Sequence, residues 1–490
     1  MNKASRALIL FLLAFPLCSA AQDAPYYQGN FPPEEFKARW EKIFARIGSN
    51  GIALVQGAPS VRGFVFPRQN NEFFYLCGIE TPFSYIMLDG RNRTVTLFLP
   101  PRNERLERAE GRVISASDSD LVKALTGVHD VRSTDAMRGN WLGISRRENR
   151  SVLYSGEMRE TLFVPFEPGE GYAESRWEIH AANAGIANDY WDGRLPREGQ
   201  FIELLRMRVP GVEVRDLSPI LDELRSVKSP REIALIRYAS QLAGRGMEEA
   251  MKSAKPGLFE YQLDAAARYV FLVNGARLDG YRSIIGGGTA NIGNMHYYRN
   301  TAELKDGDLV LMDYAPDYGY YVSDIARMFP VNGKFSSLQR ELLGIVLAYR
   351  AEILKRIHPG VTADQIHEEA KVAMESFFQR TKFSKPIYEA AARKLVNTGG
   401  GVFSHPVGMA VHDDGSYGPG PLKVGHVFSI DPQMWVPEEN LYYRVEDVIV
   451  ITENGYENFT EFLPFKPDDI EALMKADGIL QKVPPALSPR

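Results

Sequence analysis

The sequence has little cysteine, no excess of positive charge and no long apolar segment after its first twenty residues. Only two cysteines, Cys18 and Cys77, occur among 490 residues, which excludes a small fold held by a disulfide framework. The formal net charge of −5 gives no general reason to expect a nucleic acid or an anionic membrane as partner. The composition, 44% hydrophobic and 24% charged, is typical of a globular protein with a large core.

Residues 1–21 have the pattern of a secretory signal peptide. Lys3 and Arg6 precede an apolar run from Ala7 to Leu17, and Cys18-Ser19-Ala20 offers small residues for cleavage. We therefore expect export to the periplasm or the medium, with an uncleaved anchor as the alternative. The apolar run is too short to span a bilayer comfortably, so no stable membrane anchor is expected.

The remaining chain is predicted to form two α/β (α+β) domains and a short tail. Alternating strands and helices predict a smaller N-terminal domain over residues 22–220. Ser229-Pro230-Arg231-Glu232 combines a capping box with proline at the first helical position. A second domain over 221–470 therefore opens with a long helix from Pro230. The proline-rich end predicts a flexible tail over 471–490.

Short apolar runs predict strands within the N-terminal domain. These include Phe73–Cys77, which contains the one cysteine outside the signal segment, and Val152–Tyr154. The apolar surroundings of Cys77 predict a buried thiol rather than a catalytic one.

A predicted β-hairpin over residues 309–329 carries two acids. An apolar run ends in Asp313, and a second strand-like run from Tyr320 is followed by Asp324. If Tyr318-Gly319 are the central turn residues, Asp313 lies opposite Asp324. Like charges at about 4.5–5.5 Å between Cβ atoms repel, so a cation between them is expected.

A second predicted hairpin repeats this arrangement. The run Val427–Ile430 ends in Asp431, a polar turn follows, and the returning strand carries Glu446. A turn centred on residues 438–439 places Asp431 opposite Glu446. With His405 between the two hairpins, four carboxylates and one histidine form a ligand set for two divalent cations. Burying these acids without metal would be very costly.

With these residues identified, the chain resembles the aminopeptidase P and prolidase family (peptidase family M24). Segments PRQNNEFFYLCGIETPFSYIML and ELRSVKSPREIALIRYA are similar to its creatinase-like N-terminal domain and domain junction. The order Asp, Asp, His, acid, Glu is similar to its ligand signature. The resemblance implies a pita-bread catalytic domain and a homodimer or higher homo-oligomer.

The resemblance also implies roles for individual residues. Asp313 would bind one metal, Asp324 and Glu446 would bridge both, and His405 and Asp431 would complete the second. Manganese is the usual metal, with cobalt, zinc or iron as alternatives, and the pair would hold a hydroxide for attack on the scissile carbonyl.

Three further residues match positions around that centre. His296 and His412 correspond to substrate-contacting histidines, which would stabilise the tetrahedral intermediate. Arg444, two residues before Glu446 and on the same strand face, would hold a ligand carboxylate ionised. The residues alone leave other roles open. His296 could be an ordinary loop histidine, His412 could form a surface ion pair, and Arg444 could be a structural arginine.

The sequence departs from the family pattern at two positions. Asp431, in Ser429-Ile430-Asp431-Pro432-Gln433, replaces the glutamate of a Thr-Ile-Glu-Pro-Gly setting, and its side chain is one methylene shorter. Gly401 stands where the family often has a histidine of the proline-side pocket. The first change affects the reach of the carboxylate towards the bridging water, and the second affects proline specificity.

The leading hypothesis is a secreted dinuclear metallo-exopeptidase that removes an N-terminal residue preceding proline. Its substrate would be a peptide with proline at the second position. A prolidase limited to dipeptides is the nearest alternative. Two alternatives belong to other classes. One is a pseudoenzyme that acts as a binding module, which the departures at Asp431 and Gly401 favour. The other is a metal-free creatinase-type hydrolase.

Overall fold

A computed structural model describes residues 27–60, 63, 65–139, 141–142, 160–171, 175–398, 405–413 and 420–484. The predicted signal peptide, Gly401 and the strand predicted at Val152–Tyr154 lie outside these residues. Within the described ranges, no helix combines the length and apolar character needed to cross a bilayer.

The N-terminal half contains a six-stranded mixed sheet in the order β4-β3-β2-β1-β5-β6. β1 pairs antiparallel with β2 and parallel with β5. The strands are β1 (Gly51–Gln56), β2 (Tyr85–Asp89), β3 (Thr94–Leu99), β4 (Asp130–Ser133), β5 (Thr161–Val164) and β6 (Glu213–Asp216).

Helices cover this sheet and lead out of it. They are α1 (Pro33–Ile47), α2 (Asn71–Cys77), α3 (Glu104–Glu110), α4 (Ser119–Thr126), α5 (Arg176–Asn188), α6 (Arg197–Arg208) and α7 (Ser218–Ser226). The strand predicted at Phe73–Cys77 is wrong, because these residues belong to α2. Every residue of α2 is buried, and a short, wholly apolar run cannot by itself distinguish a buried helix from a buried strand. Cys77 is buried and free, as predicted.

The C-terminal half is built from long helices around small antiparallel sheets, ordered β11-β9-β8 and β12-β15-β16, with two-stranded pairs β10-β7 and β13-β14. Its strands are β7 (Leu278–Asp279), β8 (Ile284–Gly287), β9 (Leu309–Asp313), β10 (Pro316–Asp317), β11 (Ala326–Pro330), β12 (Val427–Ile430), β13 (Gln433–Val436), β14 (Leu441–Arg444), β15 (Asp447–Thr452) and β16 (Gly455–Asn458). Its helices are α8 (Pro230–Ser253), α9 (Glu260–Val273), α10 (Gly288–Asn291), α11 (Ser337–Leu354), α12 (Ala363–Arg380), α13 (Pro386–Thr398), α14 (Pro467–Leu473) and α15 (Ile479–Lys482).

Helix α8 begins where its sequence predicts. Ser229 is the N-cap and Glu232 closes the capping box, so two backbone N–H groups at the helix end are satisfied. The domain boundary predicted after residue 220 falls within α7, which connects the first sheet to α8. One continuous apolar core includes Phe36 and Leu97 of the first half and Val310 and Ile449 of the second.

The first acid hairpin has a different register from the one predicted. Asp313 pairs with Ala326, not with Asp324. The central turn residues are Gly319 and Tyr320, both with positive φ (61° and 73°), as a tight hairpin turn of type I′ requires. The pairing is therefore shifted by two residues, which leaves the faces of the strands unchanged because side chains alternate with a period of two.

The second acid hairpin has the predicted register. Ile430 pairs with Asp447 on one side of the acids, and Gln433 pairs with Arg444 on the other. Asp431 and Glu446 lie between these two ladders, at the positions that the register places opposite each other.

The tail predicted to be flexible is partly helical. Ile470 and Met474 are buried against the core, and α15 is bonded to α8 through Gln481 Nε2, which donates to Ser253 O at 2.9 Å. Residues 471–484 thus include helical turns that contact the core through Met474 and helix α8 through the Gln481 side chain. The flexibility of the tail stays a prediction. Residues 485–490 lie outside the described part of the chain.

Candidate metal centre

The predicted site residues other than Glu446 line a cavity of about 950 Å³ between the two acid hairpins and helix α5, and Glu446 is bonded to one of them, Arg444. Its lining includes Trp177, Glu178, Tyr281, His296, Asp313, Asp324, His405, His412, Asp431, Gln433 and Arg444. The two hairpins and the segment around His405 are far apart in sequence. Their convergence on one cavity is what the ligand hypothesis requires.

Four carboxylates are buried together at one side of this cavity. Asp313 ends β9, Asp431 follows β12, Glu446 precedes β15 and Asp324 precedes β11. Each is at most 3% exposed. Oxygen atoms of Asp313, Asp324 and Glu446 lie within 4.8 Å of one another. The strand ends therefore place three negative groups within reach of one cation.

Arg444 joins three of these carboxylates. Its guanidinium donates to Asp313 Oδ2 at 2.7 Å, to Asp431 Oδ1 at 2.6 Å and to Glu446 Oε2 at 2.5 Å. All four side chains are buried, so these charge-assisted bonds are strong. Arg444 thus orients three acids at once, where the sequence suggested a bond to one.

Arg444 does not fully offset the cost of burying these acids in their charged forms. Burial, with neighbouring Asp324 and Asp431, raises the pKa of Asp313 to about 7, although Arg444 opposes the shift. Burial likewise raises the pKa of Asp431 and raises that of Glu446 well above its usual range. Asp324 differs: burial opposes ionisation, but the hydrogen bond and charge of His405 outweigh it and hold its pKa at about 2.

His405 is oriented by its own backbone. Its Nδ1 lies 3.0 Å from Pro406 O, and its Nε2 lies 3.1 Å from Asp324 Oδ2. A carbonyl only accepts, so Nδ1 carries a proton, and Nε2 is the nitrogen that faces the acids. Burial would lower the pKa of His405, but Asp324 raises it above its usual value. A cation could replace the Nε2 proton.

The residues present fit divalent cations. Glu446 Oε1 is buried and accepts no hydrogen bond from the described residues, and His405 Nε2 is 3.9 Å from it. The positive groups paired with the four acids in the described ranges are Arg444 and His405. Buried carboxylates in this excess, with one imidazole, are the ligand types that manganese, iron, cobalt and zinc accept.

Tyr281, which the sequence did not single out, contacts two of the acids. Its hydroxyl lies 2.5 Å from Asp313 Oδ1 and 2.8 Å from Asp324 Oδ1. The hydroxyl carries one hydrogen, so it donates to one carboxylate at a time. Burial raises the pKa of Tyr281 well above its usual value and keeps it protonated. No pattern in the sequence distinguishes this tyrosine, which follows the two-residue strand β7.

His412 and His296 reach the same cavity from different loops. The ring of His412 lies edge-on to His405, with centroids 4.1 Å apart, and Asp324, His405 and His412 form a second possible ligand group. Burial and the charge of His405 lower the pKa of His412 to about 4. His296 is exposed and stacks near Trp177, at 6.5 Å between centroids.

The N-cap and the first turn of helix α5 contribute two further residues, Ser175 and Trp177, that the sequence did not single out. Ser175 Oγ lies 2.6 Å from His412 Nδ1, and Trp177 Nε1 lies 3.3 Å from the same nitrogen. The local sequence pattern contains no sign that this helix end reaches a site formed by the other half of the chain.

The departure at Asp431 has a structural counterpart. Gln433, in the place of the family's glycine, hydrogen-bonds through Nε2 to Asp431 Oδ2. The longer side chain at 433 therefore contacts the shorter acid at 431. Asp431 is 1% exposed and is bonded on one oxygen by Arg444 and on the other by Gln433.

Comparison with known families agrees with this geometry. Residues 234–453 match the model of metallopeptidase family M24, and residues 36–154 match that of the aminopeptidase P N-terminal domain. The Xaa-Pro aminopeptidase of Escherichia coli K12 is 31% identical over 467 residues, which cover 90% of this chain and 98% of that protein. The Xaa-Pro aminopeptidase of Haemophilus influenzae is 29% identical, and the match covers 91% of this chain and 99% of that protein.

Solved structures give the same result. The zinc-substituted E. coli aminopeptidase P in complex with product superposes with a TM-score of 0.69 at 28% identity, covering 91% of this chain and 98% of that one. The proline aminopeptidase P II of Yersinia pestis gives a TM-score of 0.70 at 29% identity, covering 91% and 100%. The similarity extends over 91% of the chain and therefore over parts of both halves of the molecule.

Proposed function

The chain belongs to the aminopeptidase P family of M24 metallopeptidases, and we propose that it removes the N-terminal residue from peptides with proline at the second position. The observation that carries the proposal is the convergence of Asp313, Asp324, His405 and Asp431 on one cavity. Glu446 lies beside Asp313 and Asp324, with its Oε1 left without a hydrogen bond among the described residues. The similarity of both halves to Xaa-Pro aminopeptidases supports the choice of substrate.

We assign these five side chains as the ligands of two divalent cations, with manganese as the expected metal and cobalt, zinc or iron as alternatives. When bound, the cations lower the pKa of a water and polarise the scissile carbonyl. Asp324 and Glu446, whose oxygens lie near both candidate groups, are assigned as the bridging ligands.

The remaining residues of the cavity prepare and orient this centre. Arg444 holds Asp313, Asp431 and Glu446 in position and favours their charged forms, as their binding of a cation requires. His412, which lies beside His405, and His296 are assigned as substrate contacts. They would stabilise negative charge that develops on the carbonyl oxygen.

The length of the peptide is the open choice within this class. A prolidase takes dipeptides only, whereas an aminopeptidase also takes longer substrates. The match to Xaa-Pro aminopeptidases over 98% and 99% of their length supports the aminopeptidase over the prolidase.

Metal analysis combined with peptide hydrolysis tests the proposal. We expect about two metal ions per chain and cleavage of Xaa-Pro-Xaa peptides after manganese addition. Asp324→Asn should lose metal and activity together, because it removes a bridging charge. Full activity in that variant would contradict the ligand assignment. Cleavage of Xaa-Pro dipeptides alone would favour the prolidase, and absence of both metal and cleavage would favour the binding module.

Export and self-association remain proposals. Residues 1–21 lie outside the described residues, and the prediction of a cleaved signal peptide depends on their sequence alone. The mass of the mature protein, recovered from the periplasm or the medium of the source cells, would identify the cleavage site. Sedimentation of the same sample would test the predicted homodimer or higher homo-oligomer.

A further inference from the structure

The first turn of helix α5 places two side chains of the N-terminal half on one nitrogen of His412. We propose that Ser175 and Trp177 fix His412 as the tautomer with its proton on Nε2, so that His412 presents a hydrogen-bond donor to the substrate. This inference rests on the proposed function, because it assigns a role to His412 in the same site. Ser175 and Trp177 would be positioning residues.

The direction of the contacts follows from the indole group. Trp177 Nε1, 3.3 Å from His412 Nδ1, can donate a hydrogen bond but cannot accept one. Nδ1 must therefore accept, and a neutral imidazole whose Nδ1 accepts carries its proton on Nε2. The hydroxyl of Ser175, 2.6 Å from Nδ1, then has to donate as well. Both contacts thus favour the same tautomer.

The second nitrogen of the ring is left for the cavity. Nδ1 faces α5, while the ring borders the cavity beside His405, with centroids 4.1 Å apart. A protonated Nε2 has no lone pair for a cation. His412 would therefore act on the substrate and would not serve as a further ligand, although it lies within ligand distance of Asp324 and His405.

The start of α5 is held in place on its other side. Arg176, between the two positioning residues, is buried and pairs with Glu72 at 3.2 Å and with Asp222 at 2.9 Å. The rings of Trp177 and His412 are nearly parallel, with an interplanar angle of 19° and centroids 6.4 Å apart, as expected for an indole N–H that points at the edge of the imidazole. The ion pairs of Arg176 thus fix the helix end that carries Ser175 and Trp177.

The tautomer can be read directly by NMR. Protein labelled with ¹⁵N-histidine, metal-free and zinc-loaded, would be compared with Ser175→Ala, Trp177→Phe and the double variant. His412→Gln assigns the signal. We expect Nε2–H in the wild type and a mixture of tautomers in the double variant. Metal content should be unchanged and kcat should fall about 10- to 100-fold, the usual effect of losing an orienting partner.

Matched controls separate orientation from folding. Ser175→Thr keeps a hydroxyl donor and should restore the wild-type spectrum, and Trp177→Phe keeps an aromatic ring but lacks the N–H. An Nδ1–H tautomer in the wild type, or zinc coordination by His412 Nε2, would overturn the proposal. So would an unchanged spectrum in the double variant. Because the spectrum does not depend on turnover, an Nε2–H signal without peptide cleavage would count against the proposed function only.

Discussion

Two neighbouring carboxylates, Glu446 and Asp447, are both fully buried but are compensated very differently. Asp447 accepts from Arg327 Nη2 at 2.6 Å, from Arg350 Nε at 2.8 Å and from Thr460 Oγ1 at 2.7 Å. Although burial opposes ionisation, the two arginines hold the pKa of Asp447 well below its usual range. Every acceptor of this carboxylate is used within the protein.

Glu446 is only partly compensated. It shares Arg444 with two other acids, and burial raises its pKa well above the usual value. Adjacent residues of an extended chain point to opposite sides, so one turns towards a structural ion cluster and the other towards the cavity. The comparison shows that burial of an acid does not identify a metal ligand. The distinguishing feature is negative charge that the protein itself leaves unbalanced.

Replacing Glu446 should have the largest effect on function. Glu446→Gln removes an assigned bridging charge, and we expect metal affinity to fall by more than about 100-fold, beyond the usual effect of losing an outer partner, with loss of activity. The metal-free fold should keep its stability, because burial already disfavours the charged form of Glu446 and a neutral amide of similar size takes its place. Elemental analysis and urea unfolding would measure both. If the variant were less stable without metal but still bound metal, Glu446 would be a structural acid and not a ligand.

Replacing Asp447 should produce the opposite pattern. Asp447→Asn leaves Arg327 and Arg350 buried without their counter-charge, and we expect a loss of about 3–5 kcal/mol in the free energy of unfolding. The folded fraction should still bind metal and cleave peptide. Urea unfolding of matched variants provides the measurement. A decrease of less than about 1 kcal/mol in the free energy of unfolding would show that other groups also balance the charges of Arg327 and Arg350.

The pH dependence of stability is a smaller and more general test. The pKa of Asp313 in the folded protein is raised to about 7. Its contribution to the free energy of unfolding is therefore fully present below the pKa of an unfolded aspartate, about 3.9, and is lost as the pH rises through 7. Asp447 has a lowered pKa, so it stabilises the folded protein above about pH 4. This stabilisation is lost only in more acid solution.

We therefore expect the metal-free protein to be less stable at about pH 7.5 than at about pH 5, by up to about 1.4 kcal/mol per proton and pH unit. Metal should oppose this trend, because cations bind the deprotonated ligands. Urea midpoints with and without chelator would measure the difference. Stability of the metal-free protein that increases over this range would show that the acids are balanced without metal.

Much of the candidate site could be predicted from the sequence, because the candidate ligands occupy the ends of short apolar runs. Asp313, Asp431 and Glu446 each border a buried strand, and the polar turn after Val436 allowed the register of the second hairpin to be predicted. Alternation along the strand also placed Arg444 on the face of Glu446, where it is found.

The register of the first hairpin could not be predicted because a tertiary contact decides it. The turn places Tyr320 at a φ of 73°, which a bulky residue rarely adopts. Its ring stacks on Phe74 at 3.5 Å, and its hydroxyl donates to Glu80 at 2.9 Å. Phe74 belongs to α2, the segment predicted as a strand. These contacts come from another part of the chain, so local turn preferences gave no sign of them.

The sequence by itself determined the two-domain α/β class, the start of α8 and which acids and histidines were candidates, because capping, alternation and spacing are local. The tertiary structure decided that Tyr281 bridges two acids, that Arg444 joins three, and that Ser175 and Trp177 reach His412. Except for the bonds of Arg444 to Asp431 and Glu446, these contacts join residues more than thirty positions apart. Charge balance inside a protein depends on every group that burial brings together, and that set is fixed only once the chain has folded.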